Sequence, residues 1–143
     1  MLRLNILLTW RCMVWKRNRG LGRMNLYELS GLPVAYSDDG IHIFLYAGQA
    51  VAYFVGDSVY AFSGRHLGWR HRGWIIDHEG NRVLFTEQAE QGPDKPIVQD
   101  DRKKQYAGQL PEKALRQFEP LRPTISSKWS RLSVKKFFHL SDT

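Results

Sequence analysis

The sequence predicts a mostly β protein: four tandem hairpin-like repeats in a pseudo-four-fold closed meander, followed by a basic C-terminal linker and short helices. Three observations carry this. One phrase (aliphatic, aromatic, spacer, apolar, spacer, Gly, two spacers, aliphatic, small or aliphatic, aromatic) occurs four times. It reads Leu26, Tyr27, Leu29, Gly31, Val34, Ala35, Tyr36, then Ile43, Phe44, Tyr46, Gly48, Val51, Ala52, Tyr53. It continues Val59, Tyr60, Phe62, Gly64, Leu67, Gly68, Trp69 and closes on Ile75, Ile76, His78, Gly80, Val83, Leu84, Phe85. The glycines stand 17, 16 and 16 residues apart, a step too short for the usual helical repeats. The apolar runs are short and rich in Val, Ile, Tyr, Phe and Trp, which is strand composition.

Turn residues bound each element. Ser30-Gly31, Asp38-Asp39-Gly40, Ala47-Gly48, Gly56-Asp57, Ser63-Gly64, Arg72-Gly73 and Glu79-Gly80-Asn81 place Gly or Asp where the chain must reverse. Eight strands fit between them, at about 25–29, 33–37, 42–46, 50–54, 58–62, 66–70, 74–77 and 82–86. A lone hairpin of this size leaves one apolar face in water, so the four units must bury one another. Closure also removes exposed sheet edges. The shared aromatic position, Tyr36, Tyr53, Trp69 and Phe85, is expected to pack near the axis, with Gly31, Gly48, Gly64 and Gly80 as structural turn residues. An open meander or a small barrel are the alternatives.

Residues 93–128 have Pro at 93, 96, 111, 120 and 123 among Lys and Arg, a linker composition. Pro111 at a first helical position, with Ala114, Leu115 and Phe118 on one face, predicts a short helix over 111–118. Ser133 is placed to cap a last turn in which Val134, Phe137 and Phe138 form an i, i+3, i+4 stripe. The aromatic segment 129–143, with Trp129, Leu132, Phe137 and Phe138, either docks back on the repeats or engages a partner.

The formal charge of +7 is unevenly placed. Residues 1–23 carry six bases and no acid, residues 24–92 four bases and eight acids, and residues 93–143 eleven bases and six acids. The repeat body is therefore acidic between basic flanks, and the net charge alone is a poor argument for a polyanionic partner. Met24 precedes the first repeat, so the first 23 residues are expected to be a disordered arm or to lie ahead of the natural start; a basic amphipathic membrane anchor is the rival. Cys12 is the only cysteine, which points to a reducing compartment, and a cytoplasmic location is expected.

The run from Gly48 to Glu87, with its GQAVAY, VYAFSGRHLGW, GWIIDHEG and VLFTE phrases, resembles the bacterial four-fold beta flower domain family. The resemblance covers Met24 to about Gly92 and recurs weakly around Trp129 and Phe137-Phe138. It implies four β units about a pseudo-axis and brings no settled activity.

Catalytic and metal patterns are sparse. The histidines match no zinc spacing, no phosphate loop or nucleophile elbow is present, and neither a metal nor a cofactor is expected. Asp38 with Asp39, and Asp77 with Glu79, read as turn residues. The third repeat is the asymmetric one: Arg65, His66, Arg70, His71, Arg72 and Trp74 gather bases and an indole, a candidate patch for a nucleotide or an acidic peptide. The expected function is a non-catalytic interaction module whose partner is another protein. The alternative is nucleic-acid binding through the basic flanks and the third repeat; an enzyme or toxin domain ranks last.

Overall fold

The computed structural model describes residues 23–99 and 102–140; the expected N-terminal arm lies, but for Arg23, outside them. Eight antiparallel strands follow one another around a closed barrel. They are β1 (Met24–Tyr27), β2 (Pro33–Ser37), β3 (His42–Leu45), β4 (Ala50–Val55), β5 (Ser58–Ala61), β6 (His66–His71), β7 (Trp74–Ile76) and β8 (Arg82–Phe85). Closure is made by β1 against β8, with Tyr27 opposite Phe85.

Each repeat makes the same turn. The amide of Gly31 donates to Glu28 O at 2.8 Å and the amide of Glu28 to Leu32 O at 3.0 Å. Gly48, Gly64 and Gly80 repeat this with Leu45, Ala61 and Asp77. All four glycines have φ between 82° and 96°, the left-handed conformation that ends a three-residue hairpin loop. Just beyond each glycine the register slips: Leu26 faces Ala35 while Tyr27 faces Pro33, and the same break recurs in the other three hairpins. Val34, Val51, Leu67 and Val83 are thus the extra residues of four equivalent β-bulges, which is why an added aliphatic residue precedes the inward-facing one in every copy.

The pleat then sorts the repeat into two faces. Leu26 opposite Ala35, Ile43 opposite Ala52, Val59 opposite Gly68 and Ile75 opposite Leu84 point inward, and the side chains among them join one central core. The next residue on each strand points outward, where Tyr27 faces Phe85, Tyr36 faces Phe44, Tyr53 faces Tyr60 and Trp69 faces Ile76. Tyr36, Tyr53, Trp69 and Phe85 are buried as expected, but around the outside of the barrel rather than at its axis. The interior of an eight-stranded barrel is just wide enough for side chains to fill, and the inward aliphatic residues with Phe137 and Phe138 fill it, so the rings of the repeat take the outer face, in cross-strand pairs between neighbouring repeats.

What buries those rings is the C-terminal half. The expected helix over 111–118 is absent, and residues 102–128 run without regular secondary structure. They form a belt around the glycine-turn end. The amides of Gln99, Gly108, Gln117 and Ser126 donate to the carbonyls of Gly31, Gly48, Gly64 and Gly80 at 2.7 to 3.0 Å. These donors are nine residues apart in every case, so a nine-residue step in the belt matches a step of 16 or 17 in the barrel. A helix here would forfeit these bonds and uncover the rings. The belt also accepts from ring hydroxyls, Tyr36 donating to Gln105 O at 3.2 Å and Tyr60 to Gln117 O at 3.1 Å. After it the chain pairs briefly with β8, where Trp129 stands parallel to Arg82.

The last described element is α1 (Val134–Phe137), capped by Ser133, whose Oγ accepts from Lys136 N at 3.2 Å. Phe137 and Phe138 complete the central core. Gly68, the smallest inward residue, leaves space for this ring: a Cβ there would stand 3.3 Å from Phe137 Cε1.

The glycine turns make a sharp test. A Cβ on Gly64 would meet Leu115 O at 1.9 Å, whereas one on Gly56, also at positive φ, meets nothing within 4 Å. Gly64→Ala is expected to cost at least about 3 kcal/mol in urea denaturation, backbone strain plus displacement of the belt, and Gly56→Ala only about 1 to 2 kcal/mol.

Candidate functional site

Strand β6 carries the residues singled out in the third repeat from one end of the barrel to the other, and so divides them. From His66 to His71 it spans on the order of 16 Å. Arg65 lies in the glycine-turn end, where its Nη1 donates to Nδ1 of His139, 3.0 Å away beyond α1. Arg70, His71 and Arg72 lie at the opposite end. Trp74 is buried on the outer face beneath Arg82 and Trp129, its Nε1 donating to Glu90 O at 2.9 Å.

His66 opens β6 near the glycine-turn end, where its amide donates to Oε1 of Gln117 in the belt at 2.9 Å. It is buried between repeats with Nε2 at 3.1 Å from Ser58 Oγ and Nδ1 at 3.0 Å from Nε2 of His78. Its ring meets Trp69 edge-on at 4.7 Å, and Trp69 Nε1 donates to Glu119 of the belt at 2.8 Å. Burial, with the neighbouring His78 imidazole adding to it, pushes His66 down to about 4. Serine and histidine at this spacing are the parts of a nucleophile and base. Here, however, Ser58 is 3% exposed and His66 2% exposed, and their side-chain bonds link neighbouring repeats of the barrel. The other acidic pairs are engaged in turns: Asp39 Oδ1 accepts from the amides of Ile41 and His42, and Asp77 Oδ1 from those of Glu79 and Asn81.

Arg70, His71 and Arg72 line an open cavity of about 410 Å³ at the end of the barrel that carries the two-residue turns, together with Arg23 and Arg122. The Asp57 carboxylate forms ion pairs with Arg122 (Nη2 at 3.2 Å) and Arg70 (Nε at 3.6 Å), and Arg70 stacks on Phe54 at 4.5 Å. Burial lowers the His71 pKa, and Arg82, Arg72 and Arg122 lower it further.

The C-terminal residues are placed individually. Phe137 and Phe138 are in the core and Trp129 packs on Trp74 and Phe85, while Leu132 is partly exposed. The belt supplies residues that the repeat analysis missed. Lys95, Lys104, Lys113 and Arg122 recur every nine residues. Lys104 Nζ lies 4.7 Å from the Tyr36 ring and Lys113 Nζ 4.8 Å from that of Tyr53; Lys95 donates to the carbonyls of Glu87 and Ala89, and Arg122 pairs with Asp57. This spacing was the available signal. Between the docked backbone atoms the belt turns apolar side chains outward: Ile97, Tyr106, Leu115, Phe118 and Leu121 are all at least 90% exposed.

Among the described residues no cluster of His, Cys, Asp and Glu could hold a metal ion, and no helix is long and apolar enough to cross a membrane. The model of the 4-fold beta flower protein family matches residues 24–138, so the family pattern takes in the belt and α1 as well as the barrel. Comparison with curated proteins and with solved structures returns no match.

The depressed pKa of His66 sets a pH dependence. Its folded value, about 4, lies below the unfolded value near 6.5, so the unfolded chain binds the extra proton between them and stability falls with pH from about 6.5 to 4. In His66→Gln the loss across that window, read by denaturation at each pH, is expected to be smaller by on the order of 2 to 3 kcal/mol.

Proposed function

The chain belongs to the 4-fold beta flower protein family, and within that fold we propose that it is a non-catalytic interaction module that binds another protein through the outer face of its belt. One observation carries this reading: Ile97, Tyr106, Leu115, Phe118 and Leu121 stand in water on a segment whose own backbone is tied down at all four glycine turns. A surface that spends its polar groups on internal bonds and shows a partner its apolar side chains has the composition of an interface centre. Its ordering is complete before binding, which lowers the entropic cost of association. The C-terminal aromatic residues are less suited to the role, because Phe137 and Phe138 already fill the core. Absence of catalysis is supported by the burial of the Ser58–His66 pair and by the turn roles of the carboxylates.

The other reading, nucleic-acid binding, draws on the arginines of the open cavity and on the basic flanks. Several basic residues of the belt are committed internally: Lys104 and Lys113 to rings, Lys95 to the carbonyls of Glu87 and Ala89. That leaves the belt face more apolar than its sequence charge suggests.

Tyr106→Ser, Leu115→Ser and Phe118→Ser together are expected to leave urea stability within about 1 kcal/mol, since each replaces an exposed side chain. A photo-crosslinker at Leu121 of the otherwise native chain is expected to trap a protein partner in host cells, with capture lost in the triple variant. Capture that survives the three changes, or trapped nucleic acid with steep salt dependence, would overturn the reading.

A further inference from the structure

The open cavity has a different chemistry from the apolar outer face of the belt, which contributes one residue, Arg122, to its lining. Four guanidinium groups, of Arg23, Arg70, Arg72 and Arg122, line one space of about 410 Å³, against the single carboxylate of Asp57. Phe54 and Ile75 supply an apolar wall. The volume lies in the range of small-molecule sites, which combine apolar lining with a few convergent polar groups. Asp57 takes only part of the Arg70 and Arg122 forks, each of which has five N–H donors. No described carboxylate pairs with Arg72.

Arg72 adds an independent observation. With φ of 50° it is one of three described non-glycine residues at positive φ, and Gly73 follows at 84°. Two consecutive left-handed residues form the hairpin turn that favours Asn-Gly. An arginine there is a costly choice for the backbone, and its side chain lines the cavity. Strain of this kind persists where the surroundings or the function hold it. The geometry points to a binding site for a small organic phosphate, its phosphoryl oxygens held by Arg72, Arg70 and Arg122 and its apolar body lying along Phe54. Guanidinium is the side chain best matched to phosphate oxygens, two donors to two acceptors.

Calorimetric titration of the full chain with adenosine 5′-monophosphate, inorganic phosphate and adenosine tests this. The nucleotide is expected to bind saturably, inorganic phosphate more weakly, and adenosine not at all. Arg72→Gly removes one charged contact and relieves the turn, so nucleotide affinity should fall by about tenfold or more while the melting temperature stays level or rises. Arg122→Gln should weaken the nucleotide to a similar degree and supplies the test if Arg72→Gly folds poorly. No saturable binding at millimolar nucleotide, equal binding of adenosine, inorganic phosphate bound in preference to the nucleotide, or an affinity unchanged in these variants would each overturn the proposal. The triple variant of the belt should bind nucleotide like the native chain, which keeps the two readings separate.

Discussion

Everything in this architecture rests on four carbonyls of an extended segment lying against four glycines that have no side chain. At Gly31, Gly48, Gly64 and Gly80 a belt carbonyl occupies the place of a Cβ, 1.9 to 2.3 Å from where one would be built, and two residues later a belt amide bonds the glycine's own carbonyl. The same glycine therefore serves the hairpin, which needs a left-handed residue, and the belt, which needs bare backbone. Two unequal periods meet at these points. Nine extended residues reach at most about 30 Å, enough to pass from one turn to the next around the rim, whereas the barrel needs two strands and two turns to cover the same arc.

This arrangement explains the distribution of charge. The repeat body is acidic and the belt basic, and the belt cations sit on the rings and acids of the body rather than facing a polyanion. Lys104 and Lys113 over Tyr36 and Tyr53 are cation–π contacts on rings already packed on their other side. Arg82, buried on the outer face, stacks on Trp74 and donates to carbonyls of Gln91 and Ser126. The cationic character left over is concentrated instead around the open cavity at Arg72, which the belt reaches through Arg122.

The barrel was legible because its signal is local and repeated: short runs of strand composition, glycine at fixed spacing and turn residues between runs. Even the aliphatic pair at Val34-Ala35 and its counterparts, which breaks strict alternation, was present in the text of the repeat, although its meaning as a bulge was not drawn from it. The placement of the aromatic column was misjudged because alternation says that Leu26 and Tyr27 lie on opposite faces without saying which face is inside; the width of the barrel decides that. The belt escaped because its residues show no periodicity of either regular structure, and prolines at 96, 111, 120 and 123 read as a linker. Two of them, Pro96 and Pro123, sit where Gln105 and Ala114 donate to the repeat in the other copies, so local composition even masked the repeat. Of the third-repeat patch, Arg70, His71, Arg72 and Trp74 line one cavity; sequence proximity also joins Arg65 and His66 to them, which the length of a strand forbids.

The order in which the belt and α1 appear along the chain bears on how the protein is made. Synthesis from the N-terminus completes all eight strands while the segment that seals them is still inside or just outside the ribosome. During that interval the outward rings of Tyr36, Tyr53, Trp69 and Phe85 face water, and the core lacks Phe137 and Phe138. A nascent chain with so much uncovered aromatic surface is a natural client for chaperones and is prone to aggregate. Commitment to the native state is thereby deferred until the belt and α1 have left the ribosome.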